Sequence, residues 1–335
     1  MRTTSLRKHH AIRRAHGHAK RVIPRAPRRL RGSPRSSCEA RTKAGDGEPA
    51  TLRRMPHPIR LGFSPCPNDA FVFHALVHGL VAPNEVWDVV LEDVETLNGW
   101  AEEGRLEVAK VSYHAFGRIA RNWWMLPAGG ALGHGVGPLI VAREAGLDLH
   151  GARIATPGGR TTANLLLGLY APGAFERVVM RYDQILAAVA RGEVDAGLII
   201  HESRFTYASH GLHQVVDLGS WWEQETGHPI PLGGIAVRKE LEPGRIDRIA
   251  RAVQDSVRYA FAHPKGSEAY VAEHAQEMSR EVREKHIATY VNDFSIDVGA
   301  AGKAAVHDLL ARAAEAGYVA EPPDVLFWDG ARSDS

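Results

Sequence analysis

The chain has 335 residues, of which 44% are apolar and 24% charged, enough to build two globular domains that each bury a core. No stretch approaches the roughly 18 consecutive apolar residues of a spanning helix, which excludes a helical membrane protein. Its two cysteines, Cys38 and Cys66, lack CxxC spacing and argue against a disulfide framework or structural zinc, so a reducing, cytoplasmic location is expected.

The net charge of +2 conceals an asymmetry. Residues 1–55 hold 16 Lys and Arg against 3 Asp and Glu, and the remainder holds 25 against 36. The basic segment has no hydrophobic periodicity, and its Pro, Arg, Gly and Ser content cannot support a core, so disorder is expected. It lacks the apolar stretch of a secretory signal. Clustered arginines would bind phosphate in any case, and a transit peptide is also basic and acid-poor. The expected reading is that Met55, directly before "PHPIRLGFSPCPND", is the true start, and nucleic acid is not an expected partner.

From position 57 onward, short β-branched runs alternate with helical stretches, the pattern of an α/β protein with a mainly parallel sheet. "IRLGFS" (59–64) predicts a first strand and "NDAFVFHALVHGL" (68–80) the helix after it. "WDVVLED" (87–93) and "LEVAKVSY" (106–113) predict two more strands. "ARIATP" (152–157), "FERVVMRY" (175–182), "DAGLIIH" (195–201) and "HQVVDLG" (213–219) predict a second set, with helices at 161–171 and 182–193 between them. Two Gly-rich segments, 125–144 and 230–240, read as extended crossings that hinge two lobes. The expected division is 56–142 plus 234–335 for one lobe and 143–233 for the other. Beyond Leu241, three- and four-residue apolar spacing predicts helices over 243–264, 266–291 and 299–316.

Ligands of open α/β sheets bind outside the carboxyl ends of the strands, so the exits nominate site residues. "SPCPND" places Asn68 or Asp69 as the cap of a helix whose N-terminus faces a ligand. "KVSYHA" sets Lys110, Ser112 and His114 at alternate positions on one face. "TPGGRTTA" offers Gly158 and Gly159 for close backbone approach, Arg160 for charge, and Thr161 and Thr162 at a helix start suited to an anion. It is neither a Walker loop nor a GxGxxG fingerprint. "DAGLIIHE" ends an apolar run on His201, where an imidazole titrating near pH 6.5 can move a proton, with Glu202 or a carbonyl holding its tautomer. Arg204 is a second candidate anion ligand. His74 and His78 have chelating i,i+4 spacing but no HExxH glutamate and no third ligand, so no metal site is expected.

Taken in order, "GFSPCPNDAFVFHAL", "KVSYHA", "TPGGRTTANLLL", "GLIIHESRFTY" and "VVDLGSWWEQETGHPIPLGGIAV" closely resemble the 1,4-dihydroxy-6-naphthoate synthases of the futalosine route to menaquinone, over about residues 58 to 330. The basic head has no counterpart in that pattern. The resemblance implies a fold like periplasmic binding proteins of the second type, two α/β lobes around a ligand cleft. It implies a carbon–carbon lyase that converts cyclic dehypoxanthinyl futalosine to 1,4-dihydroxy-6-naphthoate without metal or organic cofactor. His201 takes the place of the family's proton acceptor. The substrate-contacting segments fall on Lys110, Val111 and Ser112 and on Thr161, Thr162 and Ala163. Trp221 and Trp222 are candidates for a cleft wall or for lobe packing. The sister dehydratase acting on chorismate, and a non-catalytic solute-binding protein for an aromatic carboxylate, share the fold and stand as alternatives.

Overall fold

A computed structural model describes residues 57–275 and 279–330; the basic head and its expected disorder lie outside the described residues. The strands are β1 (Ile59–Phe63), β2 (Trp87–Leu91), β3 (Val108–Ser112), β4 (Trp123–Met125), β5 (Ala131–Gly133), β6 (Leu139–Ala142), β7 (Arg153–Thr156), β8 (Glu176–Val179), β9 (Ala196–Ile199), β10 (His213–Asp217) and β11 (Ile230–Arg238). The helices are α1 (Pro67–Val77), α2 (Val94–Glu102), α3 (Tyr113–Ile119), α4 (Thr162–Tyr170), α5 (Ile185–Ala190), α6 (Ser203–Thr206), α7 (Leu218–Thr226), α8 (Pro243–Ala262), α9 (Glu268–His274), α10 (Arg280–Tyr290), α11 (Asp293–Ile296) and α12 (Gly299–Glu315).

Two sheets form. The first runs β2-β1-β3-β11-β4, with β5 also on β11, and the second β10-β6-β9-β7-β8. Both are mixed rather than mainly parallel. β1 is parallel to β2 and β3, and β7 to β8 and β9, as βαβ crossovers require. The long crossing strand β11 pairs antiparallel with β3, β4 and β5, and β6 antiparallel with β9 and β10, because each arrives from the other lobe and not over a crossover within its own sheet.

The chain therefore passes between lobes before Leu139 and again before Ile230. Sheet pairing shifts both expected boundaries by a few residues: Leu139–Ala142 joins the second sheet, and Ile230–Gly233 already belongs to the first. The helix expected over 266–291 is divided into α9 and α10, whereas α8 keeps one apolar face, with Ile246, Ile249, Val253 and Val257 buried at three- and four-residue spacing. One apolar cluster runs across both lobes, joining Val111 and Phe116 to Ile140, Leu165 and Leu198.

Candidate active site

The carboxyl ends of β1, β3, β7 and β9 converge on one cavity of about 90 Å³ between the sheets. It is lined by Asn68 and Asp69 after β1, Lys110, Val111 and Ser112 at the end of β3, Thr161, Thr162 and Ala163 at the start of α4, and His201 after β9.

α1 begins at Pro67, whose fixed φ suits the first helical position. Its cap is Cys66, without a side-chain cap bond. Asn68 and Asp69 thus lie inside the first turn instead of capping it. Asp69 accepts from the Ser64 hydroxyl at 2.7 Å, from the Asn68 amide at 2.9 Å and from Lys110 Nζ at 2.8 Å. Both members of the ion pair are buried, so the Lys110 ammonium is held by Asp69 and, at 3.3 Å, by the Gly129 carbonyl. Ser112 is fixed from both sides by Asn98, which accepts from its N–H at 2.9 Å and donates to its Oγ at 3.1 Å. The strand ends there, and His114 turns away as part of α3.

At α4 the Thr161 hydroxyl caps the helix by accepting from Asn164 N–H. Thr162 donates to the Leu232 carbonyl of β11 at 2.7 Å, and the His114 N–H donates to Thr162 Oγ1 at 3.3 Å. Thr162 therefore ties the second lobe to the first, and the Thr161 carbonyl lies 3.3 Å from His114 Nδ1 across the same seam. The N-termini of α1 and α4 open on the cavity, where their dipoles favour negative charge.

Two arginines nominated as anion ligands are engaged elsewhere. Arg160 bonds Glu102 at 2.8 Å and Glu95 at 3.1 Å, both on α2 of the opposite lobe. Gly158, at φ +143, gives way to the same glutamate: a Cβ there would meet the Glu95 carboxylate at 2.5 Å. This turn receives an interlobe clasp. Arg204 bonds Asp217 at 3.0 Å and the Gly137 carbonyl, inside the second lobe. Trp222 is fully buried and donates to the Pro229 carbonyl, and Trp221 packs edge-on to Tyr170; both serve packing. His74 and His78 lie tilted against each other beside Tyr270, which meets His78 edge-on, and among the described residues no group of three metal-ligating side chains occurs.

His201 follows β9 with φ +57, a left-handed conformation that is unusual for a residue with a side chain and that breaks the strand's direction at the cleft. Its Nδ1 lies 3.7 Å from Cys66 Sγ, and its ring stands edge-on to Tyr182 with centroids 5.1 Å apart. Glu202 makes no hydrogen bond to the ring among the described residues; Cys66 takes the place the sequence suggested for it. Burial pulls the His201 pKa below the ordinary histidine value, against the pull of Glu202 and Asp69. Burial also raises the Cys66 pKa well above the usual thiol value, so the sulfur stays protonated.

His286 and Tyr290 of α10 complete the wall; the sequence reading missed both. Their signal was a polar residue on the buried stripe of an otherwise exposed amphipathic helix, since these two are α10's buried residues.

The profile of the menaquinone biosynthesis family matches residues 59–315. A 1,4-dihydroxy-6-naphthoate synthase of Thermus thermophilus is 56% identical over 269 residues, 80% of this chain and 98% of that protein. One from Streptomyces coelicolor is 48% identical over 274 residues, 80% and 97% of the two chains. The periplasmic aliphatic sulphonate binding protein of Escherichia coli superposes with a TM-score of 0.61 at 13% identity, over 84% of this chain and 94% of that one, which establishes the two-lobed binding-protein fold. With its strand-exit cavity and a family match over most of its length, the chain belongs to the menaquinone biosynthesis family that includes the 1,4-dihydroxy-6-naphthoate synthases.

Proposed function

We propose that the protein is a carbon–carbon lyase that converts cyclic dehypoxanthinyl futalosine to 1,4-dihydroxy-6-naphthoate, a cytoplasmic step of menaquinone biosynthesis. The observation that carries this reading is His201: an imidazole kept neutral by burial, at a strand exit, on the wall of the interlobe cavity.

The reaction requires the tautomer in which Nδ1–H faces Cys66 Sγ, 3.7 Å away, and Nε2 holds the lone pair. It removes a hydroxyl proton from the sugar-derived ring. The O–H electron pair becomes a carbonyl π bond, the adjacent carbon–carbon bond breaks, and its pair passes to the bicycle, which takes the proton back from His201 and aromatises as the fragment leaves. The N-terminus of α4 at Thr162 and Ala163 holds the aromatic carboxylate. A general base supplies about 10² to 10⁴ in rate, and orientation in the cleft supplies more. The chain's own groups suffice for this route, without a metal or organic cofactor.

The test is to treat the full chain with chelator, add cyclic dehypoxanthinyl futalosine and follow dihydroxynaphthoate by absorbance and mass. Product supports the reading. A folded protein that binds the compound and releases no product contradicts it, and directs the next assay to chorismate and aromatic carboxylates.

A further inference from the structure

The second histidine of the cavity has a determined tautomer. Asp69, paired with Lys110 at 2.8 Å, can only accept, so the group of Asn68 facing it at 2.9 Å is the amide nitrogen. The Asn68 oxygen therefore faces His286, 3.0 Å from Nε2. That oxygen also only accepts, which puts the imidazole proton on Nε2 and leaves the lone pair on Nδ1. His286 is fully buried, and its Nδ1 has no hydrogen-bond partner among the described residues. An orphaned buried acceptor is costly and uncommon. A packing role on α10 would be met better by leucine, yet the helix turns this histidine inward together with Tyr290, and both line the cavity.

We propose that His286 is a substrate-contacting residue, its Nδ1 accepting a hydrogen bond from a hydroxyl of the sugar-derived ring beside the one that gives its proton to His201. The inference rests on the reaction proposed above. A lone pair in this position accepts from a hydroxyl and opposes a carboxylate, so it fixes which end of the substrate meets His201 and which meets α4. Burial and the neighbouring His201 both hold His286 well below the ordinary histidine pKa, so it remains an acceptor while His201 carries the transferred proton. Among the described residues no group bonds Nδ1, and the contact forms when substrate occupies the cavity.

Two isosteres separate this role from a structural one. His286→Gln sets an amide where Nε2 lies and keeps the bond to Asn68, whereas His286→Asn sets its carbonyl where Nδ1 lies and gives up Asn68. Steady-state kinetics of the full chain on cyclic dehypoxanthinyl futalosine should show kcat/KM reduced roughly tenfold to a hundredfold in His286→Gln, with His286→Asn retaining the larger share. Binding of 2-naphthoate, which carries the carboxylate and no hydroxyl, should be unchanged in both. The reverse order of activities, a wild-type rate in His286→Gln, equal losses for 2-naphthoate, or loss of folding in both variants would assign His286 to support of Asn68 and overturn the proposal. Wild-type protein that makes no product overturns instead the reaction on which it rests.

Discussion

The imidazoles of His201 and His286 lie parallel, 12° between planes and 6.2 Å between centroids, although one follows β9 of the second sheet and the other sits on α10 against the first lobe. Two such rings in a buried cleft cannot both hold a proton cheaply. The pair therefore has one proton to share, and the half-buried member at the strand exit is the one free to take it.

The pH dependence of turnover follows. A base must be unprotonated, and burial lowers the His201 pKa below 6.5. As pH falls, kcat/KM should stay level through 6.5 and decline only below it. A pH–rate profile of the free enzyme with its acid limb at or above 6.5 would contradict the assignment.

Fold stability should respond to acid with the same sign. His114, His201 and His286 all have pKa values lowered chiefly by burial, so the unfolded chain binds their protons more readily than the native one. The stability they contribute is complete above the unfolded value near 6.5 and declines as pH falls below it. Urea midpoints at pH 7.5 and 5.5 should differ, with the lower midpoint at pH 5.5; equal midpoints would mean that these rings are not held neutral.

Replacing the base tests catalysis separately from folding. His201→Ala should lower kcat by at least about 10² and leave the melting temperature within a few degrees, because the ring faces the cleft. A variant with near wild-type kcat would remove His201 from the mechanism.

The strand exits were legible in the sequence because apolar runs ending on polar groups mark them, and Lys110, Ser112, Thr161, Thr162 and His201 do meet in one cavity. What those groups bond to was not legible. Arg160 and Arg204 look alike from sequence as free cations, but their partners Glu95, Glu102 and Asp217 are brought to them by tertiary contacts. His286 lay hidden for the same reason: a histidine on a helix reads as surface until the helix is seen to pack its one buried stripe against the cleft.

The clasp between Arg160 and α2 should tune closure more than chemistry. The Arg160 side chain is 39% exposed, so solvent screens the pair and its contribution to stability is at most about 1 kcal/mol. Arg160→Gln is expected to raise KM severalfold with kcat nearly unchanged, and added salt should move the wild type in the same direction. A fall in kcat at constant KM would mean that Arg160 acts on the reaction itself.

The Asp69–Lys110 pair presents the opposite case, since its side chains are only 4% and 8% exposed. Removing one partner strands a buried charge. Asp69→Ala should therefore cost about 3–5 kcal/mol in urea denaturation, most of it from the Lys110 ammonium left with the Gly129 carbonyl alone. Adding Lys110→Met removes the stranded ammonium and fills its volume, so the double variant should recover a large part of the loss. It should nevertheless stay impaired in turnover, because the cavity loses the Lys110 ammonium and Asn68 loses the carboxylate that orients its amide and, through it, His286. A double variant no more stable than Asp69→Ala would show that the loss arises from the Ser64 and Asn68 bonds to Asp69 and not from the unpaired charge.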